Sequence, residues 1–133
     1  MGIYDDLLPL KSQGSLLSKL KPLEPEKLQQ LIDRYPALPS DYLSFLATIG
    51  VGQIGQAQYV IYSGLGEPDF VYGNPVPPQL EKIILFGDDF QGFNAGFQTD
   101  SWEVVEIDPL DRRVDVVAPD FETFIRQTIG ALM

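Results

Sequence analysis

Apolar residues recur every three or four positions in three stretches of the chain, and this spacing predicts three amphipathic helices. In EPEKLQQLIDRYP, Leu28, Leu31, Ile32 and Tyr35 fall at i, i+3, i+4 and i+7, with Pro25 suited to a first turn and Pro36 to a stop. In LPSDYLSFLATIG, Tyr42, Phe45, Leu46 and Ile49 repeat the spacing. There Ser40 is placed to cap the N-terminus, Asp41 suits the positive end of the helix dipole, and Gly50 suits the C-terminal stop. In PDFETFIRQTIGALM, Phe121, Phe124, Ile125, Thr128, Ile129 and Leu132 form one stripe behind Asp120 as N-cap. SLLSKL (15–20) adds a short fourth helix.

Between the second and last of these helices the period shortens. AQYVIY, DFVY, KIILFG, GFNAGFQ, WEVVEID and RVDVVAP are short, rich in β-branched and aromatic residues, and separated by Gly, Pro, Asn or Asp. PLDR reads as the turn of a hairpin joining WEVVEID to RVDVVAP. Strands without intervening helices argue for antiparallel pairing. The expected fold is α+β: N-terminal helices, an antiparallel meander of five to six strands, and a C-terminal helix packed on the sheet. The 133 residues, 44% of them apolar, suit a single domain over 1–133.

Composition narrows the chemistry. The chain holds no cysteine and no histidine. It therefore lacks disulfides, thiolate nucleophiles, the usual zinc ligands and the usual general base near neutral pH. The expectation is a protein that is not an enzyme and needs no cofactor. No basic segment leads into an apolar run near the N-terminus, and the longest apolar stretches are too short to cross a bilayer. A cytoplasmic location follows as the expectation.

Net charge is −10, and one segment carries all of it. Residues 1–34 and 112–133 each balance to zero. Residues 35–111 hold Asp41, Glu67, Asp69, Glu81, Asp88, Asp89, Asp100, Glu103, Glu106, Asp108 and Asp111 against Lys82 alone. A field of that sign repels nucleic acid and anionic membrane and attracts basic partners, besides keeping the protein soluble.

Three motifs invite a sharper reading. Gly50-Val51-Gly52-Gln53-Ile54-Gly55 matches G-x-G-x-x-G, but a helix leads in and a strand leads out, the reverse of the order that brings phosphate to a helix N-terminus. Those glycines are better read as a helix stop and a mobile loop. In LFGDDFQGFNAGFQ (85–98), Asp88 and Asp89 are adjacent and lack the alternating ligands of a calcium loop. The stretch reads as a turn in which a carboxylate caps backbone N–H groups, with Gly92 and Gly96 turning or bulging the strands and the phenylalanines packing inward. In WEVVEID, alternation puts Trp102, Val104, Glu106 and Asp108 on one face and Glu103, Val105 and Ile107 on the other. That mixture suits a partly exposed strand better than a paired-carboxylate active site.

Taken in order, these residues resemble the bacterial SUKH superfamily of immunity proteins, whose namesake is a fungal regulator of cell-wall synthesis. The likeness runs from the helix ending at Tyr35 through Leu38-Pro39-Ser40-Asp41-Tyr42 and Leu43-Ser44-Phe45-Leu46 to Gly50. It continues through Ile83-Ile84-Leu85-Phe86-Gly87-Asp88-Asp89 with Gly92 and Phe97, then Val105-Glu106-Ile107-Asp108 and Phe121-Glu122-Thr123-Phe124-Ile125. It spans about residues 24–130, with Val51 standing where the family often has a second glycine or an asparagine. The resemblance implies a binder that neutralises a secreted toxin in the cytoplasm. Toxin domains that act on nucleic acid are often basic, so an acidic inhibitor surface would speed association. The partner-binding candidates are Asp88, Asp89, Asp100, Trp102 and Glu103, with Glu67 and Asp69 in the preceding loop as outer candidates. Trp102 is the apolar anchor of this set if exposed. Two rival readings stand beside it: a regulatory interaction domain without a toxin, and a carboxylate- or metal-dependent hydrolase using Asp88, Asp89 and Asp100.

Overall fold

The computed structural model describes residues 2–133, the Phe70 side chain excepted. The fold is α+β, as the order of patterns predicts. Four helices, α1 (Pro25–Arg34), α2 (Ser40–Thr48), the single turn α3 (Asp69–Tyr72) and α4 (Phe121–Leu132), accompany one antiparallel sheet. Its strands are β1 (Gly52–Ile54), β2 (Tyr59–Gly66), β3 (Ile83–Asp88), β4 (Asn94–Gln98), β5 (Val104–Ile107) and β6 (Val114–Ala118), and they lie side by side in chain order.

Helices α2 and α4 cover one face of the sheet, because each presents a continuous apolar stripe. Tyr42, Phe45 and Leu46 of α2 and Phe121, Phe124, Ile125 and Ile129 of α4 are buried. They meet Ile61, Ile84, Phe86, Ala95, Phe97 and Val104 from the strands. Full burial of each such side chain contributes roughly 1.5–3 kcal/mol. The α4 N-terminus is fixed as expected, since Asp120 Oδ1 accepts from the Thr123 N–H at 2.7 Å. A second cap comes from another element: Asp41 Oδ2 accepts from the Glu122 N–H at 2.9 Å, which ties the start of α2 to the start of α4.

The opposite face is covered by the β2–β3 connection, residues 67–82. Leu80 packs with Ile83, Leu85, Val105 and Ile107 there, flanked by Tyr62, Tyr72, Val76 and Val114. Both faces of β3 and β5 are therefore buried, which explains why KIILF is apolar throughout instead of alternating. Asn94, 4% exposed, is the one buried polar side chain of this layer among the described residues. It accepts from Tyr72 Oη at 2.9 Å and donates to Tyr62 Oη at 2.9 Å. Tyr62 in turn donates to Asp88 Oδ2.

Several expectations are corrected. DFVY forms α3 instead of a strand, and the sixth strand is β1, an edge strand inside the glycine motif. SLLSKL forms turns, whereas Asp5–Lys11 forms a 3-10 helix. Pro39, not Ser40, is the N-cap of α2. The glycines at 50 and 52 do not make a mobile loop. Val51 exchanges backbone hydrogen bonds with Lys21 at 2.9 and 3.1 Å, and a Cβ on Gly50 would lie 2.2 Å from the Lys21 carbonyl carbon. Phe86 and Phe97 are buried, but Phe90 is 47% exposed.

Close backbone approach constrains the sheet centre as well. A Cβ on Gly96 of β4 would meet the Ile84 carbonyl oxygen at 2.3 Å, whereas one on Gly64 would meet nothing within 4 Å. Gly96→Ala is expected to destabilise the fold by at least ~2 kcal/mol in urea unfolding, and Gly64→Ala to stay within ~0.5 kcal/mol of the parent. Equal effects at the two positions would contradict the register.

Candidate functional site

A meander sends alternate connections to opposite ends of the sheet. The β3–β4 turn (89–93) and the β5–β6 turn (108–113) share one end, where Asn94 pairs with Ile107 and a Cβ on Gly92 would touch Pro109 at 3.1 Å. The β2–β3 connection and the β4–β5 turn (99–103) lie at the other end. Along β3 the two ends are roughly 17 Å apart at ~3.4 Å per residue, about twice the ~8 Å screening length of physiological salt.

This geometry divides the seven predicted binding residues. Asp88 and Asp89 stand at the first end; Glu67, Asp69, Asp100, Trp102 and Glu103 stand at the second. Most of the second group have partners of their own. Glu67 pairs with Arg34 at 3.1 Å, Asp100 with Lys82 at 3.5 Å, and Glu103 accepts from Ser101 Oγ at 3.0 Å. Asp69 is exposed in the first turn of α3. Trp102 is not a free apolar anchor: it is half-buried, and its ring stands 5.8 Å from that of Phe97. The seven therefore do not form one cluster but two groups at opposite ends of the sheet.

The first end is more densely charged than the sequence reading implied. Asp88, Asp89, Glu106, Asp108, Asp111 and Asp115 gather there with Arg112 and Arg113, so six carboxylates against two guanidinium groups leave four negative charges. The turns themselves use some of these acids. Asp88 Oδ1 accepts from the Phe90 N–H at 2.8 Å, and Asp89 Oδ1 accepts from the N–H groups of Gln91 and Phe93 at 2.8 and 3.1 Å. Asp108 Oδ1 does the same for Leu110 at 2.8 Å. The carboxylates thus build the turns that display them.

The two arginines neutralise this end only in part. Arg113 reaches Asp115 at 3.0 Å, Asp108 at 3.9 Å and Asp111 at 4.0 Å; Asp115 and Asp111 are exposed, where such pairs contribute little, and Asp108 is partly buried. Arg112 is turned onto the Tyr72 ring, 5.0 Å from its centroid. Glu106 has neither an ion pair nor a hydrogen bond among the described residues. It is half-buried on the helix-facing side of β5, directly across from Asp115. Burial, then Asp89 and Asp115, push its carboxyl above the usual glutamate range.

Glu106, Asp108, Asp111 and Asp115 all lie outside the binding set expected from the sequence, and Glu106 is the most informative of them. The signal was present: alternation placed it with Val104 on one face of WEVVEID, and that face points at the core. An acid on a core-facing position at a strand end is costly unless something charged meets it.

Among the described residues no three carboxylates are grouped so as to hold a metal ion, and no helix is long and apolar enough to cross a membrane. The arrangement offers fixed negative charge presented by rigid turns. Because the folded protein holds the Glu106 proton more tightly than the unfolded chain does, ionisation at neutral pH works against the fold. That penalty vanishes once pH falls below both values. Glu106→Gln is therefore expected to stabilise the protein at pH 7 by roughly 0.2–1 kcal/mol, the scale of a cross-strand like-charge pair. The gain should fade below about pH 4. Thermal melts at both pH values test this, and a gain that grows on acidification would contradict it. No family model, curated protein or solved structure matches this chain.

Proposed function

We propose that the protein is an immunity-type binder that neutralises a basic toxin domain in the cytoplasm, using the acidic end of its sheet and performing no catalysis itself. The observation that carries this reading is the cluster of Asp88, Asp89, Glu106, Asp108, Asp111 and Asp115, neutralised only in part by Arg112 and Arg113. Fixed charge of one sign on a rigid rim speeds encounter with an opposite surface and disfavours like-charged partners. The SUKH-like order of motifs supports the same reading, as does the absence from the chain of the histidine and cysteine that most hydrolytic sites employ.

Co-expression with the toxin encoded beside it is the direct test: cells survive if the reading is right, and cells that die despite folded protein overturn it. The division of the acids sharpens the expectation for variants. Asp88→Asn with Asp89→Asn keeps the Oδ1 acceptors that the turn needs and removes two charges, at the cost of the Tyr62 hydrogen bond to Asp88 Oδ2. Association with the toxin should slow by about threefold to tenfold at low ionic strength, with the difference shrinking as salt rises. Asp100→Asn at the opposite end should leave the rate within about twofold. Stopped-flow rates measure both; an equal effect at the two ends would remove the β3–β4 turn from the interface.

A further inference from the structure

Tyr59 begins β2, and its ring lies over Gly87, where an added Cβ would come within 3.1 Å of Tyr59 Cε1. Gly87 pairs with Ala95, and Ala95 with Glu106. Two small residues, Gly87 and Ala95, thus lie in the row between the Tyr59 ring and Glu106. Tyr59 is only 4% exposed, and its hydroxyl is buried without a hydrogen-bond partner. Glu106 is the strongest of the charges acting on that hydroxyl, followed by Asp89 and Asp88. Leaving such a hydroxyl unpaired costs about 1–3 kcal/mol, and leaving Glu106 without a counter-charge adds to that.

We propose that Glu106, Asp89 and Tyr59 form a seat for the guanidinium of an arginine presented by a protein partner. The inference rests on the reading that this end of the sheet meets a basic partner, and it names the group recognised there. The chain's own chemistry points to the same ligand. Across the strand from Glu106, Asp115 already holds the Arg113 guanidinium at 3.0 Å, while Glu106 holds none among the described residues. Asp89 commits Oδ1 to backbone N–H groups, which leaves Oδ2 for an incoming donor. A planar guanidinium carries five donors and spans two carboxylates, whereas an ammonium is a point charge. The Tyr59 hydroxyl is the positioning group: unpartnered in the free protein, it would swing to donate to Glu106 only when the arginine draws the carboxylate into place.

The test uses the isolated full-length protein and three small probes: N-acetyl-arginine amide, N-acetyl-lysine amide and the neutral isostere N-acetyl-citrulline amide. Amide chemical shifts are followed by NMR during titration. Saturating shifts confined to residues 87–95 and 104–107 are expected with the arginine probe, weaker ones with lysine and none with citrulline. Glu106→Gln should weaken the arginine probe at least about fivefold. Tyr59→Phe, which removes an unpartnered hydroxyl and so leaves the fold intact, should weaken it while leaving the lysine probe unchanged. Equal response to arginine and lysine, shifts spread over both ends of the sheet, or indifference to Glu106→Gln overturns the proposal. Failure of toxin neutralisation is scored separately in cells, so a lost seat and a lost function are told apart.

Discussion

The joint between sheet and helices is the Phe86 ring, and the position of every turn follows from it. Its centroid lies 5.0 Å from Phe97, 5.1 Å from Phe121, 5.5 Å from Phe124 and 6.0 Å from Tyr42, so one side chain of β3 touches β4, α2 and α4. Phe86 also sits at a register shift, since Leu85 pairs with Gly96 and Gly87 already with Ala95. A slip of one residue would turn this ring away from α2 and α4 into the layer covered by residues 67–82 and bring Asp88 to the helix side. Packing therefore decides which residues arrive at the end of β3, and charge only follows.

Beyond that joint, the sheet gains its acidic end through small residues. Gly87 and Gly96 let backbone and rings approach where a methyl group would collide. The same economy of volume lays Tyr59 over Gly87 and sets Ala95 beside Glu106. Carboxylates at 88, 89 and 108 then tie their own turns through backbone N–H groups. The charges are thus held by rigid backbone, which is the arrangement that loses least entropy on meeting a partner.

Much of this was legible in the sequence, and the failures have physical causes. The stripes of α1, α2 and α4 and the hairpin of β5 with β6 rest on local periodicity, which burial on one face enforces. DFVY carries strand-like residues but forms a helical turn within residues 67–82, the connection that covers the second face. β1 hid inside a glycine motif because its three residues are too few to show an alternating pattern, and the bridge from Val51 to Lys21 depends on a residue distant in sequence. The candidate site was half legible for the same reason. Local charge counting found the acidic segment, but only the order of the strands separates Asp88 and Asp89 from Asp100, Trp102 and Glu103 and brings Glu106 and Asp115 in beside them.

The central claim is that the rim formed by the β3–β4 and β5–β6 turns is the surface that meets the partner. Hydrogen–deuterium exchange of the protein alone and in complex with the proposed basic partner reads this directly. Protection on binding is expected in residues 88–95 and 104–115, with residues 67–72 and 99–103 unchanged. Protection confined to those latter segments would place the interface at the opposite end of the sheet and contradict the account.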